Sequence, residues 1–218
     1  MISTWSFFAL TEYERCPYRS YLAKVKKEFV KISHPAIERG NRIHKYAEEY
    51  IKGGRDKLPK DLQKFPVEFQ KLRDAYSDDK AFVEAEWGFE KLGPLWNPCG
   101  WQSEEVWLRV KADVVVLEDD TSIRIIDFKT GRKFGNELKH NSQTMLYGCA
   151  AFNYFPNIEH VNAEIWYLDE GSILQKPYSR NMAKIFQKKW HDRAEIMTED
   201  FEFIPNPSKS NCKYCPYR

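Results

Sequence analysis

The 218-residue sequence lacks the features that mark membrane, secreted and repeat proteins. It has no apolar run long enough to span a bilayer, no secretory signal at its start and no internal repeat. Its five cysteines, three of them outside any Cys-x-x-Cys pair, do not form the pattern of a secreted disulfide framework. These absences predict a globular protein of the cytoplasm, or of the host cytoplasm if the source is viral.

The sequence also lacks a strong excess of either charge. Its 34 Lys and Arg and 32 Asp and Glu leave a formal net charge of +2, which is too small to indicate a nucleic-acid partner by itself. Any phosphate-binding surface must therefore be local. The length suits a single domain with a sizeable core. Within it we predict a mainly helical part over residues 1–80, a sheet core over 81–170, and a C-terminal helix with a cysteine-containing tail over 171–218.

Two adjacent segments predict a β-hairpin that carries charged residues at one end. Residues 106–117 and 123–129 are rich in β-branched and apolar residues and flank an acidic turn at 118–120. Side chains alternate along a strand, so Asp127 and Lys129 share a face with the apolar residues before them. Charges at the end of a core-facing strand cost free energy unless they have partners or a ligand. Taken alone, Asp-x-Lys is equally typical of a solvated ion pair.

Helical patterns precede this hairpin. Ser6 is a suitable N-cap for a helix over residues 7–15, and Pro17 suits the first turn of the next helix. A further helix is predicted over 35–51, with an inward stripe made of Ile37, Gly40, His44, Ala47 and Ile51. Gly40 lowers helix propensity, which predicts the close approach of another backbone there. His44 has two interpretations, a satisfied core residue or a metal ligand.

The remaining segments complete an order of helix, three strands, helix and strand. Gln143 and Tyr147, four residues apart, are expected to project from one helical face. The other expectations are a helix over 61–76, a strand over 82–90, a loop over 93–98, a basic loop over 132–140 leading into a helix over 142–154, a strand over 161–168 and a helix from about 180 to 196.

This order resembles the core of the PD-(D/E)xK nucleases. The similarity is greatest to the RecB-type branch, which includes CRISPR-adaptation nucleases with an iron–sulfur cluster. Family motifs on a helix, the middle strand, the next strand and the following helix match Gly40 with His44, Asp113, Asp127 with Lys129, and Gln143 with Tyr147. Several motifs in the expected order are more specific than any one of them. The resemblance implies a restriction-endonuclease-like α/β fold: a central mixed sheet flanked by helices, with an N-terminal helical region.

The resemblance also implies a metal-dependent deoxyribonuclease. Asp113 and Asp127 would supply carboxylate ligands and His44 a nitrogen ligand, for Mn²⁺ or Mg²⁺. Lys129 would orient the attacking water or stabilise charge developing at the phosphate. Gln143 and Tyr147 would line the groove, position DNA or support the ligands.

Other charged residues have two interpretations each. Glu86, on the polar face of the first predicted strand, would assist a second ion or would simply be solvated. Five basic residues would neutralise backbone phosphates or would be ordinary surface charge. They are Arg109, Lys111, Arg132, Lys133 and Lys139.

The resemblance favours exonuclease action on single-stranded or end-exposed DNA, in recombination, repair or replication. The sequence contains no helicase motif, so any unwinding would come from a helicase or recombination partner. A structure-selective endonuclease and a catalytically inactive nucleic-acid-binding subunit are the alternatives. Joint retention of His44, Asp113, Asp127 and Lys129 argues against the inactive subunit.

Three cysteines near the ends of the chain match positions that hold an iron–sulfur cluster in some of these relatives. They are Cys16, Cys212 and Cys215, and the fourth position, expected shortly after Cys215, has no cysteine. Three thiolates do not complete the usual four-cysteine site of a 4Fe–4S cluster. Reduced thiols and a bound cluster therefore both remain open, and zinc is less favoured than either. In each case the tail is expected to dock near Cys16.

Overall fold

The computed structural model describes residues 1–28, 30, 34–131, 133–213 and 215–217. The helices over these residues are α1 (Phe7–Arg15), α2 (Pro17–Lys24), α3 (Pro35–Ile51), α4 (Pro66–Ser77), α5 (Glu137–Tyr154), α6 (Arg180–Glu199) and α7 (Lys209–Cys212), with a 3₁₀ turn at Lys60–Leu62. The strands are β1 (Ala81–Leu92), β2 (Leu95–Cys99), β3 (Leu108–Leu117), β4 (Ser122–Lys129), β5 (His160–Tyr167) and β6 (Ser172–Ser179). None of the described helices combines the length and apolar character needed to cross a membrane.

The strands form one six-stranded sheet in the order β2-β1-β3-β4-β5-β6. β3 and β4 pair antiparallel as the predicted hairpin, β4 and β5 pair parallel, and β5 and β6 pair antiparallel. Parallel neighbours need a crossover connection, and α5 provides it between β4 and β5. The mixed sheet flanked by helices confirms the predicted restriction-endonuclease-like fold.

The chain divides into two compact units. The first consists of Met1–Ser33, Gly88–Val110 and Gln187–Arg218, and the second of His34–Trp87 and Lys111–Phe186. Aromatic rings fill the core of the first unit, where Trp5 lies 5.4 Å from Trp107 and 6.0 Å from Trp96 between ring centroids. The Trp5 backbone is held there, because its N–H donates to Trp107 O at 2.8 Å.

The second unit contains the charged end of the hairpin. Its core lies on the face of β3 and β4 that presents Val114, Ile126 and Phe128, against residues of α3 and α4. The Phe69 ring of α4 lies 5.3 Å from the Phe128 ring. Because side chains alternate along a strand, Asp127 points to the opposite face, where α5 lies.

Helix bounds near the N-terminus agree with the sequence, and two details of α3 do not. The helices start and end as predicted at Phe7–Arg15 and Pro35–Ile51. Ile37, expected on the inward stripe, is 54% exposed, whereas Ile43 is fully buried. The expected close approach at Gly40 is to a side chain rather than a backbone, since a Cβ there would lie 3.2 Å from Thr130 Oγ1.

Three other expectations were wrong, and one strand was not predicted. The helix expected over 61–76 starts at Pro66, because the preceding residues form a 3₁₀ turn. The segment expected to be a loop contains β2, which Gly93, at φ 57°, turns back against β1. β6 was not foreseen. The helix expected to start at 142 starts at Glu137, so Lys139 and His140 are helical rather than part of a basic loop.

Candidate active site

The two aspartates of the hairpin lie at the same level on adjacent strands. Val114 pairs with Ile126 on the antiparallel neighbour. Asp113 precedes Val114 and Asp127 follows Ile126, so the two aspartates lie opposite each other. Asp113 Oδ2 accepts a hydrogen bond from the Phe128 backbone N–H at 2.6 Å, which ties the carboxylate to the strand that carries Asp127. Strand pairing therefore places both acids together.

His44 reaches this pair of strands from α3. Its Nδ1 lies 3.0 Å from Asp113 Oδ1, and its ring meets the Phe128 ring edge-on. The His44 side chain is 31% exposed and is not enclosed by the apolar core. Gly40, one turn earlier in α3, allows the helix to approach Thr130 closely, which positions His44 over the strand end.

Asp127 is held by the two α5 residues that the sequence placed on one helical face. Its Oδ1 accepts hydrogen bonds from the Tyr147 hydroxyl at 2.6 Å and from Gln143 Nε2 at 3.0 Å. Gln143 Nε2 also donates to the Tyr147 hydroxyl oxygen at 2.7 Å. Burial, together with the charges of Asp127 and Asp113, raises the pKa of Tyr147 well above its usual value. The phenol therefore remains a hydrogen-bond donor at all physiological pH values.

Lys129 completes the group of six residues. Its Nζ lies 2.5 Å from Asp127 Oδ2, and its side chain is 26% exposed compared with 7% for Asp127. Although this ion pair is close, Asp127 Oδ2 accepts no well-directed hydrogen bond and is buried. We call His44, Asp113, Asp127, Lys129, Gln143 and Tyr147 the strand-end cluster.

The pKa values of Asp113 and His44 in the strand-end cluster are shifted because two acids are buried close together. Burial raises the pKa of Asp113, and the neighbouring Asp127 charge raises it further, while the hydrogen bond with His44 opposes both. Burial alone would lower the pKa of His44, but its hydrogen bond and attraction to Asp113, with the Asp127 charge, raise it overall. Crowding two carboxylates in this way is unfavourable unless a cation lies close to them.

The donor atoms of the cluster fit a divalent cation. Two carboxylates on adjacent strands, one with a buried oxygen lacking a directed hydrogen bond, are the hard donors that Mg²⁺ and Mn²⁺ prefer. His44 adds an imidazole, which suits Mn²⁺ better than Mg²⁺. Within the part of the chain that the structure describes, no three His, Cys, Asp or Glu side chains already converge as a complete metal site. Lys129 Nζ lies beside Asp127, and His44 Nδ1 lies beside Asp113.

Glu86 and Lys111 pair with each other beside the cluster. Lys111 Nζ lies 2.7 Å from Glu84 and 3.3 Å from Glu86, and the Lys111 carbonyl lies 3.2 Å from the Tyr147 hydroxyl. The Lys111 charge is therefore largely neutralised by protein carboxylates. The structure joins Glu86 to the strand-end cluster through this lysine and not through a direct hydrogen bond among the described residues.

The other predicted basic residues have separate surroundings. Arg109 belongs to the first unit, donates to Trp101 O at 3.1 Å and lies over the Trp101 ring. Lys133 Nζ lies 5.3 Å from the centre of the Tyr167 ring. Lys139 lies in the first turn of α5. Arg132 is outside the described residues.

The cysteine tail docks beside Cys16, as expected from the sequence. Asn211, next to Cys212, donates to Arg15 O at 3.0 Å, and Arg15 donates to Ser210 O at 2.8 Å. Cys16, Cys212 and Cys215 are free thiols of intermediate exposure.

Sequence reasoning missed an ionic network and a histidine near the cluster. Arg39 on α3 donates to both carboxylate oxygens of Asp169, at 2.7 and 2.9 Å. Asp169 also accepts from the Gly131 N–H at 2.6 Å. Buried His140 contacts the Tyr167 hydroxyl through Nδ1 at 2.8 Å, and burial, with the Lys129 charge, lowers its pKa. The only sequence signal for His140 was its position one turn before Gln143, and Asp169 had none because it lies beyond β5.

Comparisons with known proteins agree with the fold. The family model of the PD-(D/E)XK nuclease superfamily matches residues 4–218. The solved structure of SSO0001 is similar with a TM-score of 0.54 and 17% identity, over 100% of this chain and 85% of that chain. A candidate exonuclease from Eubacterium rectale is similar with a TM-score of 0.51 and 12% identity, over 99% of this chain and 88% of that chain. At these identities the structures show a shared fold. No protein of curated function matches the chain significantly.

Proposed function

The chain belongs to the PD-(D/E)XK nuclease superfamily, and from that premise we propose that it is a metal-dependent deoxyribonuclease whose active site is the strand-end cluster. The observation that carries the proposal is the continuous set of contacts from His44 through Asp113 to Phe128, and from Lys129 through Asp127 to Gln143 and Tyr147. A purely structural ion pair needs none of these additional partners.

Each residue has a distinct part in this proposal. Asp113, Asp127 and His44 hold the cation, for which Mn²⁺ and Mg²⁺ are both suitable. When bound, such an ion polarises a phosphoryl oxygen and lowers the pKa of a water molecule. Tyr147 and Gln143 fix the orientation of Asp127 by donating to Oδ1, and Oδ2 faces Lys129. The Lys129 ammonium stabilises negative charge that develops on the scissile phosphate.

The proposed function does not depend on an iron–sulfur cluster. Cys16, Cys212 and Cys215 are free thiols of intermediate exposure, and the tail that carries two of them contacts Arg15. Reduced thiols and a bound cluster are the two alternatives for these cysteines. The iron content and visible absorption of protein purified without oxygen distinguish them: brown, iron-containing protein has a cluster, and colourless, iron-free protein has reduced thiols.

Exonuclease action on single-stranded or end-exposed DNA is the proposed mode, with unwinding left to a helicase or recombination partner. Support comes from the family and from the exonuclease description of the E. rectale protein of similar fold. An exonuclease must receive a free end, so its substrates are distinguished by topology rather than by sequence.

The proposed function is tested with end-labelled linear single strands, linear duplexes and closed single-stranded circles, each with Mn²⁺, Mg²⁺ or EDTA. We expect progressive shortening of linear strands with either metal, intact circles, and no cleavage in EDTA. Rapid cutting of circles would indicate the structure-selective endonuclease instead. Absence of cleavage in every metal would support a non-catalytic DNA-binding subunit.

A further inference from the structure

The two most exposed large apolar side chains among the described residues lie close together in sequence, just after the catalytic strand. Phe134 is 89% exposed and Leu138 is 84% exposed. Single exposed apolar residues are ordinary, but two of them close in sequence beside the candidate active site favour contact with a ligand or partner. An aromatic ring on a nuclease has one obvious ligand group, the face of a nucleobase.

A tight turn presents the Phe134 ring at its corner. The Asn136 N–H donates to Lys133 O at 3.0 Å, and Gly135 has φ 83°, so Phe134 and Gly135 occupy the two central positions. A positive φ at the second of these is the signature of a type II turn and favours glycine there. α5 starts at Glu137, and Leu138 lies in its first turn. The turn and the helix start therefore expose both apolar residues.

Carboxylates beyond β5 anchor the base of this loop. Asp169 accepts from the Gly131 N–H at 2.6 Å, and Glu170 accepts from the Lys133 N–H at 2.7 Å. Asp169 is itself held by two hydrogen bonds from Arg39 of α3. The described ends of the loop are thus fixed to two other elements of the same unit. Ordering an aromatic side chain on a fixed support costs little entropy on binding.

Two lysines flank the exposed pair in sequence, and two glutamates lie in the same region. Lys133 precedes it and Lys139 follows Leu138, while the acidic residues of the same region are Glu137 and Glu170. Glu170 is engaged with the Lys133 backbone. The loop therefore combines an exposed ring with flanking cations, the combination that proteins use to bind single strands by stacking and phosphate contact.

We infer that Phe134, flanked by Leu138, stacks on an unpaired nucleobase of the substrate strand. This inference rests on the proposed function and specifies its substrate. A base can stack on the ring only if it is not stacked within a continuous duplex. Phe134 lies five positions after Lys129, so the two Cα atoms are at most about 18 Å apart. At about 3.4 Å per stacked nucleotide, the contacted base lies within about five nucleotides of the scissile phosphate.

The test uses a labelled single strand in which one abasic site is moved position by position through the cleaved region. Rates of cleavage are measured for the wild type and Phe134→Ala. For one position, the abasic site should lower the wild-type kcat/KM about tenfold, the value of one moderate stacking contact. On the intact strand, kcat/KM of Phe134→Ala should be about tenfold lower than that of the wild type. The abasic site at that position should lower it no further. Phe134→Trp should retain the wild-type pattern.

Phe201→Ala is the matched control, since Phe201 is 81% exposed and belongs to the other compact unit. It should respond to every abasic site as the wild type does. If Phe134→Ala and wild type are equally sensitive to abasic sites at all positions, the stacking site is wrong, although the nuclease assignment stands.

A binding measurement separates failure of the inference from failure of the proposed function. Fluorescence anisotropy in EDTA measures the affinity for the same strands. An abasic site at the contacted position should lower the wild-type affinity about tenfold and leave the affinity of Phe134→Ala unchanged. If no DNA is cleaved but this difference in affinity persists, the proposed function is wrong and the stacking site stands. Equal affinities in all combinations would overturn the site itself.

Discussion

Two helical histidines in this protein have opposite surroundings. His191 of α6 is 6% exposed, and both ring nitrogens have protein partners: Nδ1 accepts from Trp96 Nε1 at 3.3 Å and Nε2 lies 3.2 Å from Glu195. His44 of α3 has Asp113 on Nδ1 and no hydrogen bond from Nε2 to a described residue, and its side chain is 31% exposed. Both ring nitrogens of His191 therefore have partners within its own unit, whereas Nε2 of His44 has no hydrogen-bond partner among the described residues.

The same contrast separates the lysines of the two units. Lys91 is paired with Glu195 and Glu199 and lies near the Trp107 ring, within the first unit. Lys129 has an almost equal side-chain exposure, 26% against 27%, but its partner is a buried catalytic candidate, Asp127. Exposure therefore does not distinguish the candidate catalytic lysine from the structural one. The identity and burial of its partner do.

The largest expected effect tests the lysine comparison. Lys129→Ala should reduce single-turnover DNA cleavage about a thousandfold, because a positioned charge at the developing oxyanion is lost. Asp127→Asn should do the same, and both variants should keep the wild-type circular dichroism spectrum. Lys91→Ala should cleave at nearly the wild-type rate per folded molecule. Cleavage by Lys129→Ala within tenfold of wild type would remove this residue from the active site.

The next effect sharpens the histidine comparison. His44→Ala should weaken Mn²⁺ binding more than about tenfold by calorimetry and change the metal-free free energy of unfolding by less than about 1 kcal/mol. His191→Ala should lower the free energy of unfolding by about 2–4 kcal/mol, through a cavity and an unpaired Trp96 N–H. It should leave Mn²⁺ binding unchanged. The reverse pattern would make His44 the structural residue.

A smaller effect concerns the anchor of the loop. Hydrogen bonds from Arg39 hold the pKa of Asp169 below its usual value. A depressed folded pKa stabilises the protein above the unfolded value of about 3.9, and that stability is lost as pH falls through the folded pKa. Wild type should thus exceed Asp169→Asn by about 1 kcal/mol in unfolding free energy at pH 7. When urea unfolding is repeated at lower pH, this difference in unfolding free energy should fall below about pH 4 and vanish below the folded pKa of Asp169. A difference that does not change with pH would contradict the ion pair.

The smallest effect concerns Lys133. Lys133→Gln should weaken binding of single-stranded DNA and reduce the slope of log affinity against log salt by about 0.7. Fluorescence anisotropy at several salt concentrations measures this slope. The same change at Lys188, whose ammonium is paired with Asp192 in α6, is the control and should leave the slope as it is. An unaltered slope for Lys133→Gln would assign that lysine to the Tyr167 ring alone.

The sequence was most informative where a local pattern decides the structure. Proline at N1, Ser6 as N-cap and the 3.6-residue period defined α1 and α3, and the period-2 alternation defined β3 and β4. Hairpin pairing then brought Asp113 beside Asp127 without any further information. Four-residue spacing put Gln143 and Tyr147 on one face of α5, and both reach Asp127.

Long-range pairing was beyond the sequence. β2 contains Pro98 and follows Gly93-Pro94, which are ordinary loop signals, yet its pairing with β1 overrides them. Ile37 fits the apolar period of α3 but lies beyond the part of the helix that the core covers. The Arg39–Asp169 pair joins residues 130 positions apart and depends on where β5 ends. No spacing rule contains that information.

The most direct test is the Mn²⁺ dependence of single-turnover cleavage by wild type and Asp113→Asn on one linear single strand. In the proposed function the strand-end cluster needs a bound cation, so the wild-type rate should rise from zero in EDTA to a plateau. Asp113→Asn should require a much higher Mn²⁺ concentration or remain inactive. Wild-type cleavage in EDTA, or the same Mn²⁺ curve for both proteins, would contradict the assignment of this cluster as a metal-dependent active site.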